Sequence, residues 1–513
     1  MAERKLRRPS KKEVAFRAGS VALLAATCAG PGKDIQPTIN TDPGSTPTPI
    51  VEMFTPTPEA PTPSIPTIEV DGLKLPDPKI SNPELFDITK PDSPIVQFAN
   101  AFGVTPEQVG ELTPEVKTAA DGSQFAVLTT ADLPQTADFD ESGTPLMIAE
   151  QGENGEWNWS EATPGRIGTS MGIDVDVNVL NGYLQSWSPE STNMNNIVRN
   201  FNGALINYDL AMYNGQYPEL SVRPDKETFN LKGVNEVIRT LQSINSSIKI
   251  DAQPALEFVN TFIPPWFKEA GNQVKNGTMT REEFISNMNV HVEKLAQKLD
   301  GKVDSWVVFG ELFNQYTPNF WVNTLGVQDV TWIKNLYDIV RSEAPNIPLY
   351  YSDFDIEFGG EKANQTYKIL EELVRQGTPI DGIAFQMHLN GVDLDTTTEL
   401  DSNINALKEQ VRKYRDLGLE VIVGEMDINM LGVSNDPFER AIKQAEITDK
   451  IILALLEEGV SEFRFFTQID RLNWKEDPNF GGGKDADPSL FNDGGLPKPA
   501  YFSLMSSLLI GKK

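Results

Sequence analysis

From residue 164 to the end, the chain alternates two hydrophobic patterns. Short runs such as VDSWVVFGE (303–311), PLYYSDFDIE (348–357), IDGIAFQMHL (380–389), EVIVGEMDI (420–428) and EFRFFTQID (462–470) are nearly continuous in apolar residues, as strands buried on both faces are. Between them, 232–243, 280–299, WIKNLYDIVRSEA (332–344), YKILEELVRQG (367–377), INALKEQVRKYRDLG (404–418) and AIKQAEITDKIILALLEEG (441–459) carry apolar residues three and four apart. That is the spacing of a helix with one buried face. IGTSMGIDV (167–175), followed by a helix near 194–200, then ALINYDL (204–210) and IKIDAQPAL (248–256), complete the strand series. About eight strand and helix units in succession predict an α/β fold, a (β/α)8 TIM barrel over 164–513.

Before the barrel the pattern changes three times. Over 80–163 the apolar segments are short and turn-rich; QFAVLTTADL (124–133) and TPLMIAEQGENGEWNWSEAT (144–163) read as strands around a Gly/Asn hairpin, forming a small accessory module. Within it, IVQFANAFGVTPEQVGELTP (95–114) either resembles the helical part of a LysM glycan-binding repeat or is a helix packed on the barrel. Residues 30–79, with TDPGSTPTPIVEMFTPTPEAPTPSIPT at 41–67, have Pro and Thr in place of periodicity, which predicts a disordered, extended linker. Residues 1–29 run from a basic start, MAERKLRRPSKK, into the small apolar AGSVALLAATC ending at Cys28. That order predicts an export signal. AATC partly matches a bacterial lipobox, so three readings stand: a lipoprotein attached to the membrane through lipidated Cys28, an ordinary cleaved signal, and a basic tail. The first two give a secreted or surface-anchored protein.

Composition narrows the partners. Across 513 residues, Asp plus Glu number 73 against 44 Lys plus Arg, a formal net charge of −29. Such a surface repels nucleic acid and anionic membranes and suits a neutral partner such as a carbohydrate. With one cysteine and two histidines, neither an intrachain disulfide nor a Cys/His metal set is available, so no metal or cofactor is expected. A monomer is expected.

The strand ends carry the candidate chemistry. In WVVFGELFNQ (306–315) an apolar run meets a glycine and then Glu311. Asp209, Asp353 with Asp355, Gln386 with His388, Glu425 with Asp427, and Gln468 with Asp470 hold the corresponding positions elsewhere. Barrel enzymes place their reactive groups at this end of the strands.

These segments resemble glycoside hydrolase family 10, the endo-β-1,4-xylanase family, and the chain is identified as a divergent member. WVVFGELFNQ is similar to its Trp-Asp-Val-Val-Asn-Glu-Ala acid/base strand, GIAFQMHL to Gly-Ile-Gly-x-Gln-x-His-Leu, and VIVGEMDIN to the Ile-Thr-Glu-Leu-Asp nucleophile strand. LYYSDFDIE resembles Leu-x-x-Asn-Asp-Tyr-Asn-Ile-Glu, and PSLFNDGGLPKPAYFSLMSSL resembles the C-terminal loop and helix. The resemblance implies a retaining β-1,4-glycanase acting on xylan or a related polysaccharide, with Glu311 as general acid/base and Glu425 as nucleophile. In such enzymes the two carboxyl groups lie about 5 to 5.5 Å apart and one is kept protonated. His388 would bond the nucleophile, Asp427 and Gln386 would hold the network, and Asp209, Trp474 and Trp266 would support substrate, although either tryptophan could instead be core. His291, within a helix, reads as a satisfied structural residue.

The departures leave a second function class open. Gly310 stands where the family has an asparagine, Ala211 where it has a lysine, Val259 and Asn260 where it has Trp-His, and Phe466 where it has a tryptophan. Those losses predict a roomier subsite and weaker binding of plain xylo-oligosaccharides, or else a non-catalytic carbohydrate-binding or sensing protein on a degenerate barrel. Retention of both glutamates, the histidine and the glutamine favours the enzyme.

Overall fold

The computed structural model of the chain describes residues 115–510, apart from 130–144, 152–156, 180–196, 208–209, 216–220, 257, 259, 317, 468 and 479–481. The signal-like segment with Cys28, the Pro/Thr tract and the helix-like run at 95–114 lie outside the described residues. So do Asp209 and Gln468.

The first elements are four strands, β1 (Glu115–Thr118), β2 (Gln124–Thr129), β3 (Pro145–Gln151) and β4 (Trp157–Glu161), in one antiparallel sheet ordered by sequence. Phe125, Val127 and Ile148 of this sheet are buried in the same core as Ile167 and Met171 of the following helix α1 (Pro164–Met171). A main-chain bond from Ala120 N–H to Ser170 O, 2.7 Å, ties the two together.

Helix α1 corrects one expectation. IGTSMGIDV was read as a strand, but only its end enters the barrel, from Asp174. Thr163 Oγ1 caps the Arg166 N–H, Pro164 opens the first turn, and Gly172 at φ 67° closes the helix in the left-handed region. A capped start, a proline at the first turn and a glycine stop outweigh the poor helix propensity of the small residues between them.

Eight parallel strands then close into a barrel in sequence order: β5 (Asp174–Val179), β6 (Gly203–Ile206), β7 (Lys249–Ala252), β8 (Ser305–Gly310), β9 (Leu349–Phe354), β10 (Gly382–Asn390), β11 (Glu420–Asn429) and β12 (Glu462–Phe465), which returns to β5. Around it run α2 (Lys232–Ile244), α3 (Pro265–Lys275), α4 (Arg281–Leu299), α5 (Phe320–Leu325), α6 (Thr331–Glu343), α7 (Glu361–Arg375), α8 (Thr397–Asp416), α9 (Pro437–Glu457) and α10 (Pro499–Ile510). Helix α4 shows why the pattern works. Thr280 and Glu283 form a reciprocal capping box, and Phe284, Met288, Val292, Leu295 and Leu299 make one buried face.

The barrel interior is divided. Val307, Tyr350, Ala384 and Ile422 form an apolar cluster separate from the main core. Beside it, buried Arg464 on β12 forks Glu462, lies 3.4 Å from Asp251 and 3.8 Å from Asp176, and donates to Ser305 Oγ at 2.7 Å. The three carboxylates approach within 4.8 Å of one another, but a guanidinium already lies among them, which disfavours a metal cation there. Burial and the charges of Asp251 and Glu462 push Asp176 well up. Neither Asp176 oxygen has a donor among the described residues, which fits a carboxyl that carries its own proton.

Candidate active site

Glu311 directly follows β8, the fourth barrel strand, and Glu425 lies within β11, the seventh, after the apolar run that opens it. Each is only 4% exposed. Strand β11 reaches its glutamate through a bulge: Phe385 and Gln386 are consecutive on β10, whereas their partners are Val423 and Glu425. The same extra residue shows against β12, where Val423 to Met426 spans Phe463 to Phe465. Ile422 faces the interior cluster and Val423 the helix layer, so strict alternation would aim Glu425 at the helices. Gly424 absorbs the extra position and turns Glu425 inward beside Gln386. A side chain at 424 has no room, since its Cβ would lie 2.7 Å from that of Ala384.

Strand β8 also carries an irregularity, between Val307 and Phe309, and ends in a strained residue. Glu311 has φ 52°, a left-handed conformation that costs a side-chain-bearing residue on the order of 1 kcal/mol or more. Its N–H donates to Ser352 O at 3.0 Å. Asn319 Nδ2 donates to the carbonyls of Gly310 and Glu311, at 3.2 and 3.3 Å, while its Oδ1 caps α5. The next amide, Leu312 N–H, donates to the Tyr351 hydroxyl, which in turn donates to Asp353 Oδ2 at 2.6 Å.

The two glutamates sit in different fields. Burial and then the charge of Asp353 push Glu311 up to about 8, with Glu425 adding to the rise, against the opposing effects of Lys362 and the Asn314 amide. Asp353 is itself paired with Lys362 at 2.7 Å. Glu425 is held by two donors: His388 Nε2 lies 3.1 Å from its Oε2, and Gln253 Nε2 donates to its Oε1 at 2.5 Å. Burial pulls the His388 imidazole down, but the charge and hydrogen bond of Asp427, with those of Glu425, push it up to about 10. Burial raises Asp427, yet the charges of His388 and Lys475 hold it below the usual range. The result is an imidazolium bridging two carboxylates, with its ring set edge-on to Phe466 and Trp474 at 5.1 and 5.7 Å.

Of the expected site residues, the structure brings Glu425, His388, Asp427 and Trp474 into one network and places Gln386 opposite Glu425 across the β10–β11 ladder. Glu311 shares their field. Trp266 lies elsewhere: its Nε1 donates to Arg223 O at 3.3 Å, its ring stacks on Phe267, and the Arg223 guanidinium lies 4.8 Å away. It is part of the helix layer. His291 is buried in α4 and neutral, pushed down to about 3 by burial and Arg223. It is structural but not satisfied, because neither ring nitrogen has a partner among the described residues.

Gly310 is not open space, contrary to the room expected at that position. A Cβ at Gly310 would lie 2.4 Å from Ser352 O and 3.2 Å from the Phe258 ring. Ala211 is buried, with its carbonyl accepting from Val222 N–H. Asn260 Nδ2 donates to Pro318 O at 2.7 Å, in the loop that follows Glu311.

Several network members were not singled out by sequence. Lys475 Nζ reaches the carbonyls of His388 and Leu389, at 3.1 and 3.3 Å, and lies 3.6 Å from Asp427. Asn473 Nδ2 donates to Asp427 at 3.0 Å. Gln253, directly after β7, obeys the same strand-end rule as Glu311 and was findable by it.

Comparison with known proteins identifies the family and the fold. The glycosyl hydrolase family 10 profile matches residues 223–507, more than half of the chain. Endo-1,4-beta-xylanase A of Caldicellulosiruptor saccharolyticus is 27% identical over 308 residues, 56% of this chain and 82% of that protein. Endo-1,4-beta-xylanase B of Thermotoga neapolitana is 27% identical over 246 residues, 47% of this chain and 66% of that protein. In three dimensions the fold matches xylanase 10B from Thermotoga petrophila RKU-1, solved with xylobiose, at a TM-score of 0.57 and 22% identity, covering 68% of this chain and 98% of that one. With a closed barrel of eight parallel strands and a family profile over residues 223–507, the chain is a glycoside hydrolase that belongs to glycosyl hydrolase family 10.

Proposed function

We propose that the protein is a retaining endo-β-1,4-glycanase of xylanase type, cleaving xylan or a related β-1,4-linked polysaccharide by double displacement. The observation that carries this reading is the division of labour between the two buried glutamates. Glu311 stays protonated up to about 8, and Glu425 is gripped as an acceptor by His388 and Gln253. One is thus a proton donor and the other a nucleophile.

In the first step a lone pair of Glu425 forms a bond to the anomeric carbon while the bond to the leaving sugar breaks. The departing oxygen takes the Glu311 proton. Esterification removes the Glu425 charge that helps hold Glu311 protonated, so Glu311 stays ionised; it takes a proton from the water that attacks the anomeric carbon as the bond to Glu425 breaks and the carboxylate is restored.

The altered positions 211, 260 and 310 favour the second reading, a carbohydrate-binding protein without turnover. One experiment separates the two. Chain cleavage should be followed by chromatography and mass spectrometry of the products on linear xylan, arabinoxylan, mixed-linkage glucan and cellulose for the wild type and for Glu425→Ala, the latter with and without azide, because a glycosyl azide exposes no new reducing end. Hydrolysis by the wild type, lost in Glu425→Ala and partly returned by azide as a glycosyl azide, supports the enzyme. Binding to a glycan without hydrolysis of any of the four supports the other reading.

A further inference from the structure

Gln253 holds a position that the mechanism above leaves unused. Its side chain is buried, its Nε2 donates to Glu425 Oε1 at 2.5 Å, and its own Oε1 has no donor among the described residues. A desolvated amide acceptor without a partner is costly. Glu425 Oε2, meanwhile, faces an imidazolium that Asp427 holds from behind. That charged clamp is harder to release than a neutral amide at the end of a flexible side chain. The oxygen free to attack is therefore Oε1, and Gln253 must let go of it as its lone pair becomes the bond to carbon.

Chemistry says what Gln253 meets next. In a pyranoside the 2-hydroxyl is attached to the carbon beside the one attacked, so an oxygen poised for attack has that hydroxyl as its neighbour. An amide already within 2.5 Å of Oε1 reaches the same hydroxyl, offering both a donor and an unpaired acceptor.

The geometry points to Gln253 as the residue that reads the sugar 2-hydroxyl: its amide caps the resting nucleophile and passes to that hydroxyl as Glu425 attacks. This rests on the retaining reading above. It gives the chain a local substitute for the side chain absent at Gly310, where Ser352 O and Phe258 leave no room for one.

The test compares an aryl β-xylobioside with its analogue lacking the 2-hydroxyl on the reacting sugar, using the full chain and its Gln253→Leu and Gln253→Asn forms; asparagine keeps the amide but shortens its reach. Loss of one hydrogen bond made to the reacting sugar should lower kcat/KM about 10- to 100-fold on the parent glycoside. On the 2-deoxy analogue the loss should shrink to a few-fold, because the two removals are not additive. An equal loss on both substrates, or none on the parent, would overturn the proposal.

A second readout needs no turnover. The chain has two histidines, so the ring N–H resonance of His388 is assignable by comparison with a His291 variant. Removing the Gln253 donor concentrates negative charge on Glu425 Oε2 and should move that proton downfield in both variants. An unmoved resonance refutes the resting contact. If the wild type hydrolyses neither glycoside, the retaining reading fails, and the resonance still decides whether Gln253 caps Glu425.

Discussion

Replacing Asp353 by asparagine should move the alkaline limb of the pH–rate profile to lower pH. In the proposed mechanism the limb belongs to Glu311, which must carry a proton to protonate the leaving oxygen. Its rise from 4.5 to about 8 corresponds to roughly 5 kcal/mol against ionisation. Burial is the first cause and the charge of Asp353 the second. Asp353→Asn removes that charge while Lys362, 2.7 Å from it in the wild type, remains to stabilise ionised Glu311. Both effects have the same sign, so the limb should fall by on the order of one pH unit. Lys362→Met should move it upwards instead, at a cost in stability, because it strands a buried carboxylate. The double variant removes both charges and should return the limb towards the wild-type position. The assay is kcat/KM against pH on a neutral aryl β-xylobioside, with unfolding followed in parallel. Single variants that shift the limb in the same direction, or leave it in place, would refute the claim that this ion pair sets the protonation of Glu311.

Three further outcomes follow from particular contacts. Gly310→Asn, which restores the family residue, should destabilise the chain by about 1–3 kcal/mol in urea unfolding, because its Cβ meets Ser352 O at 2.4 Å; an unchanged midpoint would show that the strand can give way. Lys475→Met removes the cation that Asp427 and two carbonyls share and should reduce kcat at least about tenfold with little change in KM, since the loss falls on the His388 clamp. Asp176→Asn tests the barrel interior. The folded carboxyl is raised well above 3.8, so its contribution is present in full below that value and fades as pH rises through the folded value; the variant cannot ionise, and its stability should decline less than that of the wild type as pH is raised above the unfolded value.

Most of the barrel was legible because buried parallel strands and one-sided helices write different periods into the chain. The glutamates were visible for a related reason: a charge ending an apolar run has no structural motive. What escaped notice was either short or long-range. Strand β7 is four residues long, and an amide just past it looks like an ordinary turn residue. Lys475 lies in a loop far from His388 in sequence and becomes part of the site only when β10 and the segment after β12 meet. IGTSMG hid a helix because its start signal, Thr163-Pro164, precedes the apolar pattern. Gly310 is the sharpest case. A glycine in place of a larger residue reads as space, whereas the fold fills that space with the ring of Phe258 and the carbonyl of Ser352. A deletion at one position says nothing about what moves in from another.

The strands of Glu311 and Glu425 share a feature that links fold to the proposed chemistry. Each departs from regular pairing partway along its length, β11 beside Gly424 and β8 near Val308, whereas β9 pairs with β10 in unbroken register. A regular strand can send side chains only alternately inward and outward, so a barrel whose lower layers are packed by alternation cannot freely choose which residue faces the mouth. An inserted residue changes that choice for the upper layer alone. On β11 it lets Val423 keep its place in the helix-facing core while Glu425 turns to Gln386, Gln253 and His388. On β8 the shifted register is followed by the left-handed turn at Glu311, tied down by Asn319, Ser352 and Tyr351. The backbone strain at Glu311 therefore sits at the mouth, while the charged cluster around Arg464 is carried mainly by other strands, with Arg464 and Glu462 on β12, Asp176 on β5 and Asp251 on β7. The packing that compensates for both, from Phe284 and Trp321 to Tyr414 and Leu455, lies in the outer shell, where substitutions around Glu311 and Glu425 need not disturb it.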